Sequence, residues 1–184
     1  MNAEPADRVA SAQASWRTER PDLDVSPMAV IGRIHRVGDL LRSELVALYT
    51  RYGLGEGDFD VLATLRRSGT PYELTPGDIA LQTIVTSGAV SKRVDRLEAA
   101  GLVTRRGSEH DRRVRVVALT DAGKSLIDEA FTAHVENEHR LLEGLDPEDR
   151  AELERILREW LARLEPVETH ERPRPADERA EGQA

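Results

Sequence analysis

Hydrophobic residues recur at helical spacing along most of this chain, and the longest such stripe follows Ser26 and Pro27. A serine followed by proline is typical of a helix N-cap and a first helical position. At intervals of three and four residues the stripe then contains Val30, Ile31, Ile34, Val37, Leu41, Leu45 and Leu48. It predicts a helix of about seven turns ending at Gly53, longer than a small domain needs to cover its own core.

Three shorter helices are predicted before a hairpin. The first covers Asp58–Arg67, the second begins at the cap Thr75, and the third begins at Thr86 and ends before Gly101. Their apolar members are Phe59, Val61, Leu62 and Leu65, then Ile79, Ala80, Leu81 and Ile84, and finally Val90, Val94 and Leu97. Two short helices joined by a tight turn indicate a helix-turn-helix unit, in which the second helix reads DNA.

A hairpin and two further helices complete the pattern. LVTRR and VRVVAL flank a polar tip, as two short strands flank a turn. A long helix is predicted from Thr120 to Gly144, and the last helix is capped by Asp146-Pro147. The predicted fold class is mainly α with a small β-hairpin, that is, a winged helix-turn-helix domain with a helical dimerisation region.

This order of elements predicts four parts of the chain. Residues 1–25 form an N-terminal arm with a short helix, 26–53 and 121–165 a helical dimerisation region, 54–120 the winged helix-turn-helix DNA-binding domain, and 166–184 a disordered tail. The tail is expected to be disordered because it is rich in charge and proline and has almost nothing to bury. The apolar stripes at both ends of the chain need a partner, so a symmetric homodimer with two readers is expected.

Charge is distributed unevenly along the 184-residue chain. Its formal net charge is −8, which argues against indiscriminate binding to nucleic acid. Residues 85–115 instead form a basic island, with eight lysines and arginines against four acids. The absence of cysteine excludes disulfides and thiolate metal sites. With no apolar run of about 18 residues and no secretory pattern at the N-terminus, we expect no membrane partner and a cytoplasmic location.

The basic island contains the candidate contacts to double-stranded DNA. The side of the reader helix away from its apolar stripe offers hydroxyl and basic groups for bases or phosphates, from Ser87, Ser91, Lys92 and Arg96. At the hairpin tip, Arg112 and Arg113 are placed to enter a minor groove, where A·T stretches concentrate negative potential. Most charged helix faces are only solvated, but the apolar stripe and the adjacent hairpin favour the DNA interpretation here.

Four segments resemble the MarR (multiple antibiotic resistance regulator) family in order and spacing, namely FDVLATLRRSG, LTPGDIA, TSGAVSKRVDRLEAAGLVTRR and HDRRVRVVALTDAG. The resemblance covers roughly residues 28–165. It implies a dimeric winged-helix repressor whose DNA binding is weakened by a small-molecule ligand. It also implies that Asp111 orients Arg113 through a salt bridge, and the alternative is that Asp111 is an ordinary turn aspartate.

The arm that precedes the long helix looks like that of the family's urate-responsive subgroup. There a tryptophan, an aspartate and two arginines form the ligand site, and the matching positions here are Trp16, Asp60, Arg93 and Arg105. The resemblance implies an effector such as urate or a related purine-like anion, which an arginine fork can neutralise. Two alternatives stay open. Trp16 can instead pin the arm onto the body, and Asp60 can form a structural salt bridge with one of the arginines.

Other functional classes have less support in the sequence. His134 and Glu138 lie four residues apart on a predicted helix, but one such pair is a weak signal for a metal site. No phosphate loop or nucleophile motif appears, so we expect neither an enzyme nor a cofactor. Two rivals to a urate-responsive repressor remain. One is a regulator that responds to a phenolic or other carboxylic ligand, and the other is a DNA-architectural module without an effector.

Overall fold

The computed structural model describes residues 7–83, 87–107 and 114–165, with the backbone alone described at 87–89. The helices are α1 Arg8–Glu19, α2 Met28–Arg51, α3 Glu56–Arg67, α4 Pro76–Gln82, α5 Ser87–Ala99, α6 Asp121–Leu141 and α7 Pro147–Leu164. The strands are β1 Glu73–Leu74, β2 Val103–Gly107 and β3 Arg115–Leu119. The chain divides into two compact units, Met1–Leu141 and Leu142–Ala184. The predicted wing tip and tail lie outside the described residues.

A small antiparallel sheet follows the reader helix, as the hairpin pattern predicts. Strand β2 pairs with β3 from Val103 opposite Leu119 to Gly107 opposite Arg115. A third strand, β1, pairs with the other edge of β3, so the order is β1-β3-β2. The predicted class, mainly α with a β-hairpin, is therefore confirmed, with one strand more than the sequence indicated.

The core of the first unit forms where α3 meets α5 and α6. Helix α3 is central because Val61, Leu62 and Leu65 are completely buried. The stripe of α5 also packs into this core through Val90, Val94 and Leu97, and α6 adds Ile127 and Ala130. The three-and-four periodicity of these positions placed one face of each helix inward, as the sequence predicts.

The predicted helix caps Thr75 and Asp146 are confirmed, whereas the predicted cap Thr86 lies outside the described residues. The Thr75 hydroxyl accepts a hydrogen bond from the Asp78 amide, and the Asp146 carboxylate accepts one from the Asp149 amide. The predicted Ser26 cap of α2 is wrong, because α2 begins at Met28 with no side-chain cap. The Ser26 hydroxyl and amide both donate to the Asp24 carboxylate instead.

Helix α1 packs against the beginning of α2. The Asp7 carboxylate caps α1 at Ala10 and pairs with Arg33 at 2.8 Å. Buried Gln13 donates to the Val25 carbonyl at 2.8 Å. Trp16 keeps 49% of its surface exposed. The hydrogen bonds and the ion pair that hold the arm in the described structure come from its other residues, and the interpretation that Trp16 pins it stays a prediction.

Two apolar faces stay exposed in the single chain. On α2 the face consists of Val30, Ile31, Ile34, Val37 and Leu41. In the second unit, α7 has no buried residue, and its exposed apolar residues are Leu153, Ile156, Leu157, Leu161 and Leu164. Over the described residues, no helix is long and apolar enough to cross a membrane.

Candidate functional site

The reader helix α5 exposes polar side chains on the surface away from its buried apolar residues. Ser91, Lys92 and Arg96 are exposed, as a contact surface for DNA requires. The side chain of Ser87 and the tip residues Asp111, Arg112 and Arg113 lie outside the part of the chain whose side chains are described. The DNA contacts at all seven positions stay predictions.

Arg96 is already paired within the protein. Its Nη2 lies 2.7 Å from Oδ1 of Asp58 in the first turn of α3. The Arg96 side chain is 59% exposed, whereas that of Asp58 is only 13% exposed. The guanidinium therefore reaches solvent while one of its nitrogens neutralises a mostly buried carboxylate.

Arg93 lies against the same turn of α3, on the side of α5 that faces the core. A Cβ atom built on Gly57 would be 2.0 Å from Cζ and 2.2 Å from Nε of Arg93, so the guanidinium occupies the space above this glycine. Nη1 of Arg93 is buried and has no hydrogen-bond partner in the described structure. An unsatisfied buried donor costs about 1–3 kcal/mol, and more for a charged group. Such a group calls for an explanation, which can be a bound water, an ion or a ligand.

Asp60 follows one turn later on α3 and is accessible to solvent. Its pKa is raised, first because the carboxyl group is partly removed from water and second because Glu56 adds negative charge nearby. The positive charges of Arg93 and Arg67 act in the opposite direction. Asp60 and Arg93 thus lie within electrostatic reach of each other, although no direct ion pair joins them in the described structure, and their role in ligand binding stays a prediction.

An aromatic cluster lies beside Asp60. Tyr49 stacks on Phe59 at 4.1 Å between ring centroids, and its hydroxyl lies 3.2 Å from Nδ1 of His134. Burial, followed by the negative charge of Asp60, raises the pKa of Tyr49 to about 12. The Tyr49 hydroxyl is therefore protonated at neutral pH. A planar ligand held by Asp60 and Arg93 would have aromatic and hydrogen-bonding groups nearby.

Arg105 lies on the other side of α5. It forms ion pairs with Asp95 and Glu98, and its backbone amide donates to Glu98 at 3.0 Å. Burial alone would lower the pKa of Arg105, but the hydrogen bonds to these two carboxylates raise it. Because residues three and four apart share a helix face, Asp95 and Glu98 lie on one side of α5 and Arg93 on the opposite side. The structure therefore does not bring Arg105 to Asp60 and Arg93.

Two further interpretations of the sequence concern Trp16 and the pair formed by His134 and Glu138. No contact in the described structure joins Trp16 to Asp60, Arg93 or Arg105, so the four residue types do not form one site in the single chain. His134 does pair with Glu138 at 3.2 Å. Across the described residues, no group of three metal-ligating side chains surrounds that pair.

A cavity between α3 and α6 was missed by sequence reasoning. It measures about 440 Å³ and is lined by Ala63, Arg66, Arg67, Ile127, Asp128, Phe131 and Thr132. Arg66 pairs with Asp128 at 2.6 Å, and Arg67 donates to the Gln82 carbonyl at 2.7 Å. No signal in the sequence could have found it, because only the structure shows that Phe131, a large apolar residue on α6, stays half exposed. Its ring forms one wall of the cavity.

Known DNA-binding regulators are similar to this chain in both sequence and fold. A family model for the MarR family matches residues 52–114. The HTH-type transcriptional regulator PecS of Dickeya dadantii is 42% identical over 142 residues, which are 77% of this chain and 86% of that protein. AbsC, a MarR family transcriptional regulator from Streptomyces coelicolor, matches with a TM-score of 0.67 and 27% identity over 77% of this chain and 97% of that one. A mutant MarR from E. coli, solved in complex with operator DNA, matches with a TM-score of 0.64 and 25% identity over 76% and 99%.

Proposed function

The chain belongs to the MarR family of DNA-binding transcriptional regulators, and we propose that it is a repressor whose operator binding is relieved by urate or a related purine-like anion. Arg93 carries this proposal. A buried cationic nitrogen without a partner, close to a carboxyl group and an aromatic cluster, suits a planar anion with several hydrogen-bonding edges. Other MarR family regulators supply the general role, and the chemistry around Arg93 supports the class of ligand.

The position of Arg93 provides a route from the ligand to DNA. Arg93 precedes Val94, which is buried in the core, and lies one turn before Arg96 on the same helix. A ligand that binds the Arg93 guanidinium in its place beside Gly57 acts directly on the reader helix. Because ligand and DNA then favour different positions of α5, each weakens the binding of the other by the same factor.

We expect the operator-binding form to be a homodimer. The exposed apolar faces of α2 and α7 are long enough to form helix–helix contacts, and their burial would remove a large apolar area from water. A symmetric dimer would present two copies of α5 to a pseudo-palindromic operator with half-sites about one helical turn apart. A molecular mass twice that of the chain, measured by light scattering, is the expected result.

The decisive test is a urate titration of the complex with the protein's own promoter DNA. Urate should release the wild type, whereas Arg93→Ala and Asp60→Ala should stay bound at urate concentrations that release the wild type. Release is measured by fluorescence anisotropy of labelled DNA. Tryptophan fluorescence can follow ligand binding separately, with Trp16→Phe as the control because Trp160 also emits. Unchanged relief in Arg93→Ala would contradict the proposed site.

A second ligand class is supported by the cavity between α3 and α6. The apolar wall of Ile127 and Phe131 suits an aromatic ring. Arg67, which binds a neutral carbonyl in the described structure, can pair with a carboxylate. Salicylate added to the same titration would then release DNA where urate does not, and Phe131→Ala would remove that response. A complex that neither compound releases would support a DNA-binding module without an effector of these classes.

A further inference from the structure

Gly57 is the second residue of α3, and the Arg93 guanidinium packs directly against it. A side chain at this position would start 2.0 Å from Cζ, 2.2 Å from Nε and 2.5 Å from Nη1 of Arg93. These distances are far inside van der Waals contact, so even a methyl group and the present Arg93 position exclude each other. The absence of a side chain is therefore a condition for the observed place of the guanidinium.

We propose that Gly57 is a positioning residue that holds Arg93 in place for an anionic ligand. The identity of the ligand in this inference rests on the proposed function. The contact between Gly57 and the Arg93 guanidinium does not depend on that function. Without Gly57 the guanidinium would move toward solvent and gain water as a hydrogen-bond partner. The bound anion would then have to compete with that water, and part of the advantage of a preformed site would be lost.

The backbone gives no other reason for a glycine at this position. Gly57 is not in the left-handed region, unlike Gly53, Gly69 and Gly101, whose φ values are positive. It is not the helix cap either, since Gly55 occupies that position. Glycine inside a helix is less favourable than alanine. The helix alone would therefore favour alanine here, and the contact with Arg93 is what opposes it.

Replacing Gly57 is expected to leave the fold intact. The three atoms nearest to an added methyl group belong to the far end of one flexible side chain, which can rotate away. Gly77 provides a matched control because it is the second residue of α4. Among the described residues, a Cβ there would meet only the Thr75 hydroxyl oxygen, at an ordinary 3.7 Å. The same chemical change at the same helical position thus occurs with and without displacement of an arginine.

The first measurement needs no ligand. Phenylglyoxal modification of Arg93, followed by peptide mass spectrometry on the full chain, reports how accessible the guanidinium is. Gly57→Ala should be modified faster than the wild type, and Gly77→Ala at the wild-type rate. Equal rates at Arg93 in Gly57→Ala and the wild type would overturn the inference that Gly57 determines its position.

The second measurement is urate affinity by calorimetry in the absence of DNA. Gly57→Ala should raise the dissociation constant by about tenfold, and Gly77→Ala should leave it unchanged. Gly57→Ala added to Arg93→Ala should cause no further loss, because both changes act through one side chain. A full additional loss in the double variant, or wild-type affinity in Gly57→Ala, would overturn the positioning role. A wild type that binds no urate would refute the proposed effector. The modification rates would still show whether Gly57 determines the position of Arg93.

Discussion

The two sides of the reader helix hold their arginines in opposite ways. On the side facing α3, Arg93 rests on a glycine with a buried nitrogen that has no partner in the described structure. On the side facing the sheet, Arg105 is bound by two carboxylates of the helix itself. Both residues are arginines close to α5, yet Arg93 has a buried nitrogen without a partner in the described structure, whereas both Nη atoms of Arg105 bind carboxylates.

This difference indicates which side of α5 can respond to a ligand. An anion that approaches Arg93 satisfies a group that the protein has left unsatisfied, so little existing interaction must be broken. An anion that approaches Arg105 must first displace Asp95 and Glu98. The side of α5 that faces the sheet is therefore held in place by ion pairs. The side that faces α3 is the better candidate for a ligand-binding site.

The largest expected loss of stability comes from replacing Gly123, a residue of α6 that packs closely against the backbone beside the sheet. A Cβ atom on Gly123 would lie 1.9 Å from the carbonyl oxygen of Leu102, the residue just before β2. Backbone cannot rotate away as the Arg93 side chain can, so Gly123→Ala should destabilise the fold by about 1–3 kcal/mol. Urea denaturation measures this loss. Gly57→Ala is the matched comparison, and equal stability of the two variants would contradict the distinction between backbone and side-chain contacts.

A smaller effect is expected from Arg105→Gln. Its two ion pairs are accessible to water, so their loss should cost no more than about 1 kcal/mol. Urate should still release this variant from DNA, because Arg105 lies away from Asp60 and Arg93. The titration used for Arg93→Ala gives the answer. Loss of urate response in a folded Arg105→Gln variant would support the role that the family resemblance implies and would contradict the one inferred from the structure.

The smallest effect concerns Asp60. Its raised pKa means that the folded protein holds a proton on this carboxyl group more tightly than the unfolded chain does, so stability falls as pH rises through the window above the ordinary aspartate value. Asp60→Asn should therefore be slightly more stable than the wild type at neutral pH. The gain should lie within roughly 0.5 kcal/mol, because the group is accessible.

Urea denaturation at neutral pH and at about pH 4 tests this sign. The gain from Asp60→Asn should shrink toward the lower pH, because the carboxyl group then becomes protonated in the unfolded chain as well as in the folded protein. A variant less stable than the wild type at neutral pH would mean that the attraction between Asp60 and Arg93 outweighs the loss of hydration.

Most of the fold was predictable because each element carries its own local signal. Apolar residues at intervals of three and four defined the helices, and Thr75 and Asp146 marked two of their starts. Strand β1 has only two residues, Glu73 and Leu74, and its pairing with β3 is a long-range interaction that leaves no periodic pattern. The start of α2 was misplaced because the choice between Ser26 as a cap and Ser26 as a partner of Asp24 depends on three-dimensional detail.

The candidate site was less predictable. Residue types alone place Arg93 and Arg105 in one group, since both are arginines near α5. Helical geometry separates them only once Arg105 is known to contact Asp95 and Glu98, and a hairpin register is needed for that. The contact between Gly57 and Arg93 joins residues of two helices that are distant in sequence. No local pattern could have indicated it.

The pairing of Arg96 with Asp58 links operator affinity to ionic strength in two opposing ways. A DNA phosphate that engages Arg96 must draw it from a carboxylate that is mostly buried. Added salt weakens the phosphate contact by screening and by reducing counterion release. It also weakens the internal pair, although less, because buried charges are screened less. An Arg96 contact with DNA would therefore contribute less to affinity than an unpaired surface arginine, and its loss would be felt most at low salt.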